Sequence, residues 1–181
     1  MKLYKKTEKF VIDAFAKAGK PTDVHHAKRT VYWVKELKPD ADESLLIAGV
    51  AHDIERAFYG DWKKGSDDPD DLRKHQDLSA AEIEKFLRDE KYDEKLIVRV
   101  KHLVACHEEG GDVDQNVLCD ADCLAYFEEK AMRHVKKDKD DGKPLDEIRK
   151  KLDFNFHRIH SEEAKQIARK WYDEAIEELK K

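Results

Sequence analysis

Apolar residues recur along most of this chain three or four positions apart, which is the spacing of one face of an α-helix. The first such stripe lies in a helix predicted at 4–18 and consists of Val11, Ala14, Phe15 and Ala18. A similar stripe near the end of the chain lies in a helix predicted at 161–180. No segment of useful length alternates apolar and polar residues as a half-buried strand would. The pattern therefore predicts an all-α protein.

Caps and helix breakers divide this pattern into separate helices. Thr22 or Asp23 is the expected cap of the second helix, and Gly110-Gly111 is the expected break after the fifth. The predicted helices cover 4–18, 23–37, 43–57, 75–90, a segment from Asp93 to that break, 115–137, 145–153 and 161–180. No repeat or domain boundary is visible, so we expect a single-domain bundle of about seven to eight helices at 1–181.

Residues 58–74 are the longest irregular stretch predicted near the core. Long loops in compact domains are often lids or binding loops, and a solvated connector is the alternative. Tyr59 and Trp62 in this stretch are suited to stack on a nucleobase, or equally to pack the loop against the body.

The composition fits a helical bundle and argues against several classes of function. Charged residues make up 43% of the 181 residues and apolar residues 40%, with only seven Gly and four Pro. The net charge of −5, with both signs interspersed, argues against nonspecific nucleic-acid binding, which needs a basic face. No run of about 18 apolar residues exists, so we expect no membrane-spanning helix.

The N-terminus and the cysteines favour a cytoplasmic protein. The first nine residues lack the apolar core of a signal peptide. The three cysteines, at 106, 119 and 123, are an odd number and contain no Cys-x-x-Cys pair. They suit a reducing compartment better than a disulfide framework or a structural zinc site.

The segment 45–56 starts as an apolar helix and ends in a cluster of ionisable residues. An apolar helix buries itself and carries His52 and Asp53 towards the interior, where such groups are costly unless they are paired. A divalent metal pairs with both, because neutral imidazole and ionised carboxylate are good ligands. A His-Asp pair at a solvated helix end is the alternative interpretation.

Other residues of metal-ligand type lie on the apolar faces or buried ends of further predicted helices. With the His-Asp pair they form a set of six: His26, His52, Asp53, His75, His107 and Asp122. One such residue is more often a hydrogen-bonded core histidine, but six on five packed helices favour a metal site between facing helices. His26 is preferred over its neighbour His25 because it shares the apolar face of its helix.

Four local motifs carry a resemblance to a known family. They are His26-Ala27-Lys28-Arg29, His52-Asp53-Ile54-Glu55-Arg56, His75 followed by Ser79-Ala80, and Asp120-Ala121-Asp122-Cys123-Leu124. Together they resemble the HD superfamily of metal-dependent phosphohydrolases. The resemblance covers roughly 22–128 and implies an HD-domain-like core, with 129–181 as a C-terminal helical extension. Glu55 departs from the glycine that is usual at its position.

The resemblance also implies how the six residues would share metal. The first ion would be held by His26, His52 and Asp122. The second ion would be held by His75 and His107, with Asp53 bridging the two. Family members without the two middle histidines usually hold one ion, so we expect one or two divalent ions, with Fe, Mn, Co, Ni or Zn suiting these ligands. The resemblance also selects Asp122 over Asp120.

The implied function is hydrolysis of a phosphoester or phosphoanhydride in a small phosphorylated molecule, a nucleotide among the candidates, by a metal-activated hydroxide. Asp53 would act as the bridging ligand and Arg56 as the cation facing the phosphate. Glu55 would protonate the leaving group, or alternatively form a salt bridge at the helix end. Weaker candidates for the cation are Arg29, Lys63, Lys64 and Arg73.

Two other functions fit the same residues. Some HD-superfamily oxygenases hold two irons with this six-residue pattern, so the ligands alone do not separate an oxygenase acting on a small molecule from a hydrolase. A non-catalytic HD domain that binds a ligand or partner would be expected to have lost ligands, and none is missing here. We therefore expect an enzyme, with hydrolysis as the first interpretation.

Overall fold

The structure, a computed structural model, describes residues 2–61, 66 and 68–181. These residues form helices and no β-strand. The elements are α1 (Lys2–Lys17), α2 (Pro21–Leu37), α3 (Glu43–Ala51), α4 (Arg56–Tyr59), α5 (Pro69–Asp89), α6 (Glu94–Val104), α7 (Val113–Tyr126), the π segment (Phe127–Ala131), α8 (Met132–Asp140), α9 (Leu145–His157) and α10 (Glu162–Lys180). If α7, the π segment and α8 count as one continuous helix and the single turn α4 is set aside, the described chain has eight helices. The predicted all-α bundle of seven to eight helices is confirmed.

Most of the helix starts follow from polar capping residues. Caps whose side chains accept backbone N–H groups begin five helices: Asp42, Asp68, Asp93, Asp112 and Ser161. The predicted cap of the second helix is wrong, because α2 begins at Pro21 rather than after Thr22 or Asp23. Proline has no N–H group and a fixed φ, which suit the first helical position. Asp23 is instead buried in the first turn of α2.

The helix predicted at 43–57 ends earlier than expected, and this places the His-Asp pair. Helix α3 stops at Ala51, and a four-residue turn precedes α4. Within the turn, the N–H groups of Ile54 and Arg56 donate to carbonyls three residues back, at 3.0 and 3.1 Å. Every residue of α3 after its first is buried, so the turn lies at the inner end of the helix.

Two further boundaries near the pair differ from prediction. Helix α5 begins at Pro69, six residues before its predicted start, because Asp68 caps it and proline suits its first position. The irregular stretch predicted at 58–74 is therefore shorter. Helix α6 ends at Val104, so His107 lies in the turn after the helix and not on its apolar stripe. Residues 62–65 and 67 of the stretch 58–74 lie outside the described residues, and they include three candidates from the sequence: Trp62, Lys63 and Lys64.

The helices predicted at 115–137 and 145–153 are both longer in the structure. Helix α7 continues through the π segment into α8, and α9 extends to His157. Helix α9 packs against α8 and α10, while α10 also packs against α7 and the π segment. The C-terminal helices thus pack on the long helix formed by α7, the π segment and α8.

Helix α3 lies at the centre of the bundle, in contact with α1, α2, α6 and α7. A glycine allows α2 to approach closely, because a Cβ at Gly49 would meet the side chains of Val31 and Val34 at 3.4 Å. Across the described part of the chain, no helix combines the length and apolar character needed to cross a bilayer.

Candidate metal centre

Six side chains from five parts of the fold meet beside one cavity. They are His26 on α2, His52 and Asp53 in the turn after α3, His75 on α5, His107 in the turn after α6, and Asp122 on α7. Five of them are buried, and 12% of the side chain of His75 is exposed. The cavity has a volume of about 500 Å³ and is lined by four of the six: His26, Asp53, His75 and Asp122. The structure therefore brings together all six residues that the sequence singled out.

The first group forms around the Nε2 atoms of His26 and His52. Asp122 Oδ1 lies 2.9 Å from the former and 3.3 Å from the latter. Asp53 Oδ2 lies 3.8 Å from His26 Nε2 and 3.6 Å from His52 Nε2. Two imidazoles and two carboxylates therefore present their ligand atoms to one small volume.

The second group uses the other oxygen of the same aspartate. Asp53 Oδ1 lies 3.2 Å from His75 Nε2 and 4.0 Å from His107 Nε2, and the two Nε2 atoms are 3.1 Å apart. Asp53 thus faces one histidine pair with each oxygen, and it is the residue shared by the two groups.

Helix ends orient two of the histidines. His52 Nδ1 donates to the Gly49 carbonyl at 2.9 Å, and His107 Nδ1 donates to the Val104 carbonyl at 2.7 Å. Both carbonyls belong to the last turn of a helix, where carbonyl groups lack an intrahelical partner. A protein carbonyl on one ring nitrogen fixes the tautomer and leaves the other nitrogen free to bind a metal. The turns after α3 and α6 therefore aim both Nε2 atoms at the cluster.

The donor set fits a divalent metal ion. His52 Nε2 is buried and makes no hydrogen bond, although carboxylates lie close to it. The Nε2 atoms of His75 and His107 face each other while both Nδ1 atoms already have acceptors. Such nitrogen lone pairs repel unless a proton or a cation lies between them. Buried nitrogen and oxygen ligands of this kind are typical of transition-metal sites.

Both aspartates of the cluster are ionised. Burial opposes ionisation of Asp53, but the charges of Arg56 and His52 outweigh it and hold the pKa of Asp53 well below its usual value. Burial likewise opposes ionisation of Asp122, but its hydrogen bond with His26 and the close approach of the His52 ring hold its pKa well below its usual value. Ionised carboxylates are the form that binds metal.

The histidines divide into two kinds. Burial lowers the pKa of His107 well below its usual value and that of His26 to about 4, so both are neutral at pH 7. Burial also opposes charge on His75, but hydrogen bonds to Asp53 and Glu55 raise its pKa to about 10. The carboxylates of the site therefore attract positive charge, which a bound metal ion supplies in place of protons.

Arg56 is enclosed by carboxylates and does not face the cavity alone. Its Nη1 pairs with Asp53 Oδ2 and lies 3.9 Å from Asp23 Oδ1, while its Nε lies 3.7 Å from Glu55 Oε1. The guanidinium lines the cavity, but its strongest contact is with the carboxylate shared by the two groups. Its geometry is that of a residue that fixes the charge and orientation of Asp53.

Glu55 also contacts the cluster, through the ring of His75. Its Oε1 accepts from His75 Nδ1 at 2.7 Å, and its Oε2 accepts from Ser79 Oγ at 2.8 Å. The acidic side chain at this position therefore orients His75 much as backbone carbonyls orient His52 and His107. A glycine here would leave the Nδ1 atom of His75 without this acceptor.

The other residues that the sequence analysis considered for the site make their contacts away from the cluster. Four of them are paired away from the six residues: Arg29 with Glu128, Arg73 with Glu109, His25 with Glu129, and Tyr59 with Glu82. Asp120 accepts the backbone N–H groups of His160 and Ser161, at 2.6 and 3.0 Å, at the start of α10. Its carboxylate is thus committed to holding α10.

Two residues beside the cluster were missed by the sequence patterns. Glu108 Oε1 lies 3.8 Å from His75 Nε2 and 3.7 Å from His107 Nε2. Arg158, directly after α9, lies 2.5 Å from Glu108 Oε2 through Nη1 and 3.2 Å from Asp122 Oδ2 through Nη2. Adjacency to His107 was the one signal for Glu108, whereas Arg158 lies beyond the predicted end of its helix. A third missed residue, Lys130, lines the same cavity.

Comparison with known families connects this cluster to one set of sequences. A family model described as "Domain of unknown function (DUF4202)" matches residues 10–179. The matched range includes all six residues of the cluster, the whole of α9 and all but the last residue of α10. Searches of curated proteins and of solved structures find no match. Because the family model covers nearly all of the sequence, the chain belongs to the DUF4202 family.

Proposed function

We propose that this protein is a metal-dependent phosphohydrolase that cleaves a phosphoester or phosphoanhydride bond in a small phosphorylated molecule. The observation that carries the proposal is Asp53, whose two oxygens each face a separate pair of histidine Nε2 atoms. The motif resemblance to the HD superfamily supports the same reading. A carboxylate shared by two such groups is typical of two-metal hydrolytic sites.

In this proposal the ligands divide as the two groups do. The first ion would be held by His26, His52 and Asp122. The second ion would be held by His75 and His107, with Asp53 common to both. When bound, such ions provide a nucleophile near neutral pH and neutralise charge on the phosphoryl oxygens.

The chain's own residues would prepare the site. Arg56 keeps Asp53 ionised and fixed in orientation through its ion pair. Glu55 fixes the ring of His75, so we assign it a positioning role ahead of the leaving-group role. The cavity of about 500 Å³ has the size of a small-molecule pocket, and its lining mixes carboxylates with several Lys and Arg residues that would contact an anionic substrate.

We also propose that residues 1–181 act as one domain, with the core at 22–128 and the extension at 129–181 completing the site. The support for this is Arg158, which reaches Asp122 from the extension. The lining of the cavity likewise includes residues of α8 and α9.

The direct test combines elemental analysis with an assay. Plasma mass spectrometry of protein purified without chelators should find about two transition-metal ions per chain, and the protein should release phosphate from phosphoesters or nucleotides. Chelation should stop the release, and the same metal should restore it. Failure to bind metal even after reconstitution would overturn the proposal. Iron as the main metal, with oxygen consumption and no phosphate release, would favour the oxygenase.

Replacing His75 with alanine should lower the metal content by about one ion per chain, because it removes one of the two imidazoles of the second group. Plasma mass spectrometry measures this directly. His102→Ala is the control, since 61% of that side chain is exposed and its ring lies away from the cluster, near Gln115 and Asp112. An unchanged ion count in His75→Ala would exclude the second site.

The neighbouring histidines on α2 offer a second matched pair. His26→Ala should lose metal from the first group, because its Nε2 lies beside both aspartates. His25→Ala should keep the wild-type content, because 67% of that side chain is exposed and its ion pair is with Glu129. Equal metal content in the two variants would show that the α2 ligand is assigned wrongly.

A further inference from the structure

Lys130 is a buried cation that lines the cavity beside the cluster. Only 8% of its side chain is exposed. Among the described residues its ammonium makes no hydrogen bond, and its one ion pair is a long one, 3.9 Å from Asp23 Oδ1. That same oxygen also lies 3.9 Å from Arg56 Nη1, so Asp23 is shared between two cations. A buried ammonium with so few partners is costly unless an anion completes its surroundings.

The π segment explains how Lys130 comes to face the cavity. In a regular α-helix, a residue eight positions after Asp122 would be turned about 80° away from it. A π-helical turn contains more residues than an α-helical turn, so it reduces this rotation and brings Lys130 back towards the side that carries Asp122. Both residues indeed line the cavity. Short π segments within helices are frequent at functional sites.

The other cations of the inner cavity already have carboxylate partners. Arg56 pairs with Asp53, and Arg158 pairs with Glu108 and Asp122. Further out, the exposed Lys143 lies 2.6 Å from Asp138 Oδ1. Lys130 differs from these because its ammonium retains its capacity to donate hydrogen bonds.

Burial and the nearby Arg56 lower the pKa of Lys130 to about 8, which leaves it mostly protonated at neutral pH. The ammonium can therefore donate charge-assisted hydrogen bonds to an anion, and these are stronger than bonds between neutral groups.

We propose that Lys130 forms a phosphate-binding subsite of this cavity, where its ammonium hydrogen-bonds the oxygens of a substrate phosphoryl group held beside the Asp53–Asp122 cluster. The proposal deepens the function given above and rests on it for the reaction. Phosphate binding at Lys130 can be tested separately, because it does not depend on whether the protein hydrolyses a phosphoester.

Inorganic phosphate titrated into the full-length protein as purified tests the subsite by calorimetry. Lys130→Met should weaken phosphate binding about tenfold or more, which is the expected loss for one charge-assisted hydrogen bond. Lys137→Met is the control: it lies on the adjoining α8, 67% of its side chain is exposed, and its partner is Asp141. It should bind phosphate as the wild type does.

The metal content of every variant is measured alongside. Weakened phosphate binding in Lys130→Met at unchanged metal content would support the subsite whether or not phosphoesters are hydrolysed. Wild-type affinity in Lys130→Met, equal weakening in Lys137→Met, or no phosphate binding by the wild type would each overturn it. Retained phosphate binding without turnover or metal would overturn the proposed function alone.

A label on the unmodified chain covers the case in which Lys130→Met does not fold. Pyridoxal 5′-phosphate carries a phosphate and an aldehyde; its aldehyde condenses with a lysine amine to an imine and water, and added borohydride reduces the imine to a stable amine. Peptide mapping that finds label on Lys130, prevented by inorganic phosphate, would support the subsite. Label confined to exposed lysines would overturn it.

Discussion

Asp53→Asn is expected to remove metal from both groups and to abolish any metal-dependent turnover. Asparagine keeps the shape of the side chain but replaces one ligand oxygen with an amide nitrogen, which does not bind metal. Because the two oxygens of Asp53 face different histidine pairs, one substitution affects both groups. The variant also leaves Arg56 without its closest carboxylate, although Asp23 and Glu55 remain nearby.

Plasma mass spectrometry and phosphate release would be measured together on protein whose thermal transition shows that it is folded. Asp13→Asn is the matched control, because that carboxylate lies on α1 with 62% of its side chain exposed and pairs with Lys9. Metal at the wild-type ratio in Asp53→Asn would rule out Asp53 as the shared ligand. Loss of half the metal would limit Asp53 to one group.

The helices and the six residues of the cluster were accessible from sequence for one physical reason. Each helix buries one stripe, so a histidine or aspartate on that stripe, or at its buried end, is carried to the interior. His26 and Asp122 were found in this way, and both line the cavity. The two-residue separation of Asp120 and Asp122 gives them opposite faces. The family resemblance, rather than periodicity, selected the one that contacts His26.

Helix boundaries were harder to predict, and in this chain they determine the orientation of the His52 and His107 side chains. The apolar stripe continues past Ala51 and Val104, where the helices in fact stop. The tight turns that follow depend on local hydrogen bonding that an apolar pattern does not report. It is these turns that let His52 and His107 donate to last-turn carbonyls.

Two of the charged residues around the cluster, Lys130 and Arg158, were not accessible from sequence. With 43% of the residues charged, a lysine or arginine in a polar stretch is most often solvated. Lys130 faces the cavity because of a π segment, and Arg158 because α9 is longer than its stripe. Both depend on packing between distant parts of the chain.

Arg158→Met is expected to cause the largest loss of stability, because Arg158 joins the extension to both halves of the cluster. Its Nε donates to the Glu108 carbonyl at 3.0 Å, and its two terminal nitrogens contact the carboxylates of Glu108 and Asp122. These three side chains are nearly buried: 10% of Arg158, 10% of Glu108 and 11% of Asp122 is exposed. Removing the guanidinium leaves two buried carboxylates without their cation.

Breaking a buried ion pair from one side costs about 3–5 kcal/mol in free energy of unfolding. For a chain of this size, that loss lowers Tm by about 6–20 °C. Thermal unfolding followed by circular dichroism, in the presence of a chelator, measures it. Arg149→Met, on the helix α9 that Arg158 directly follows, is the control: 60% of that side chain is exposed, and its pair with Asp153 is a surface pair worth about 0–1 kcal/mol.

The metal proposal adds a second expectation for the same variant. A cation bound by Asp122 would take over part of the charge compensation that Arg158 provides, so added metal should raise Tm more in Arg158→Met than in Arg149→Met, provided that the site still binds it. Arg158→Lys should be intermediate, because an ammonium keeps the charge but not the forked contact with two carboxylates. A Tm for Arg158→Met equal to that of Arg149→Met would mean that the ion pairs of Arg158 add nothing to the stability of the protein.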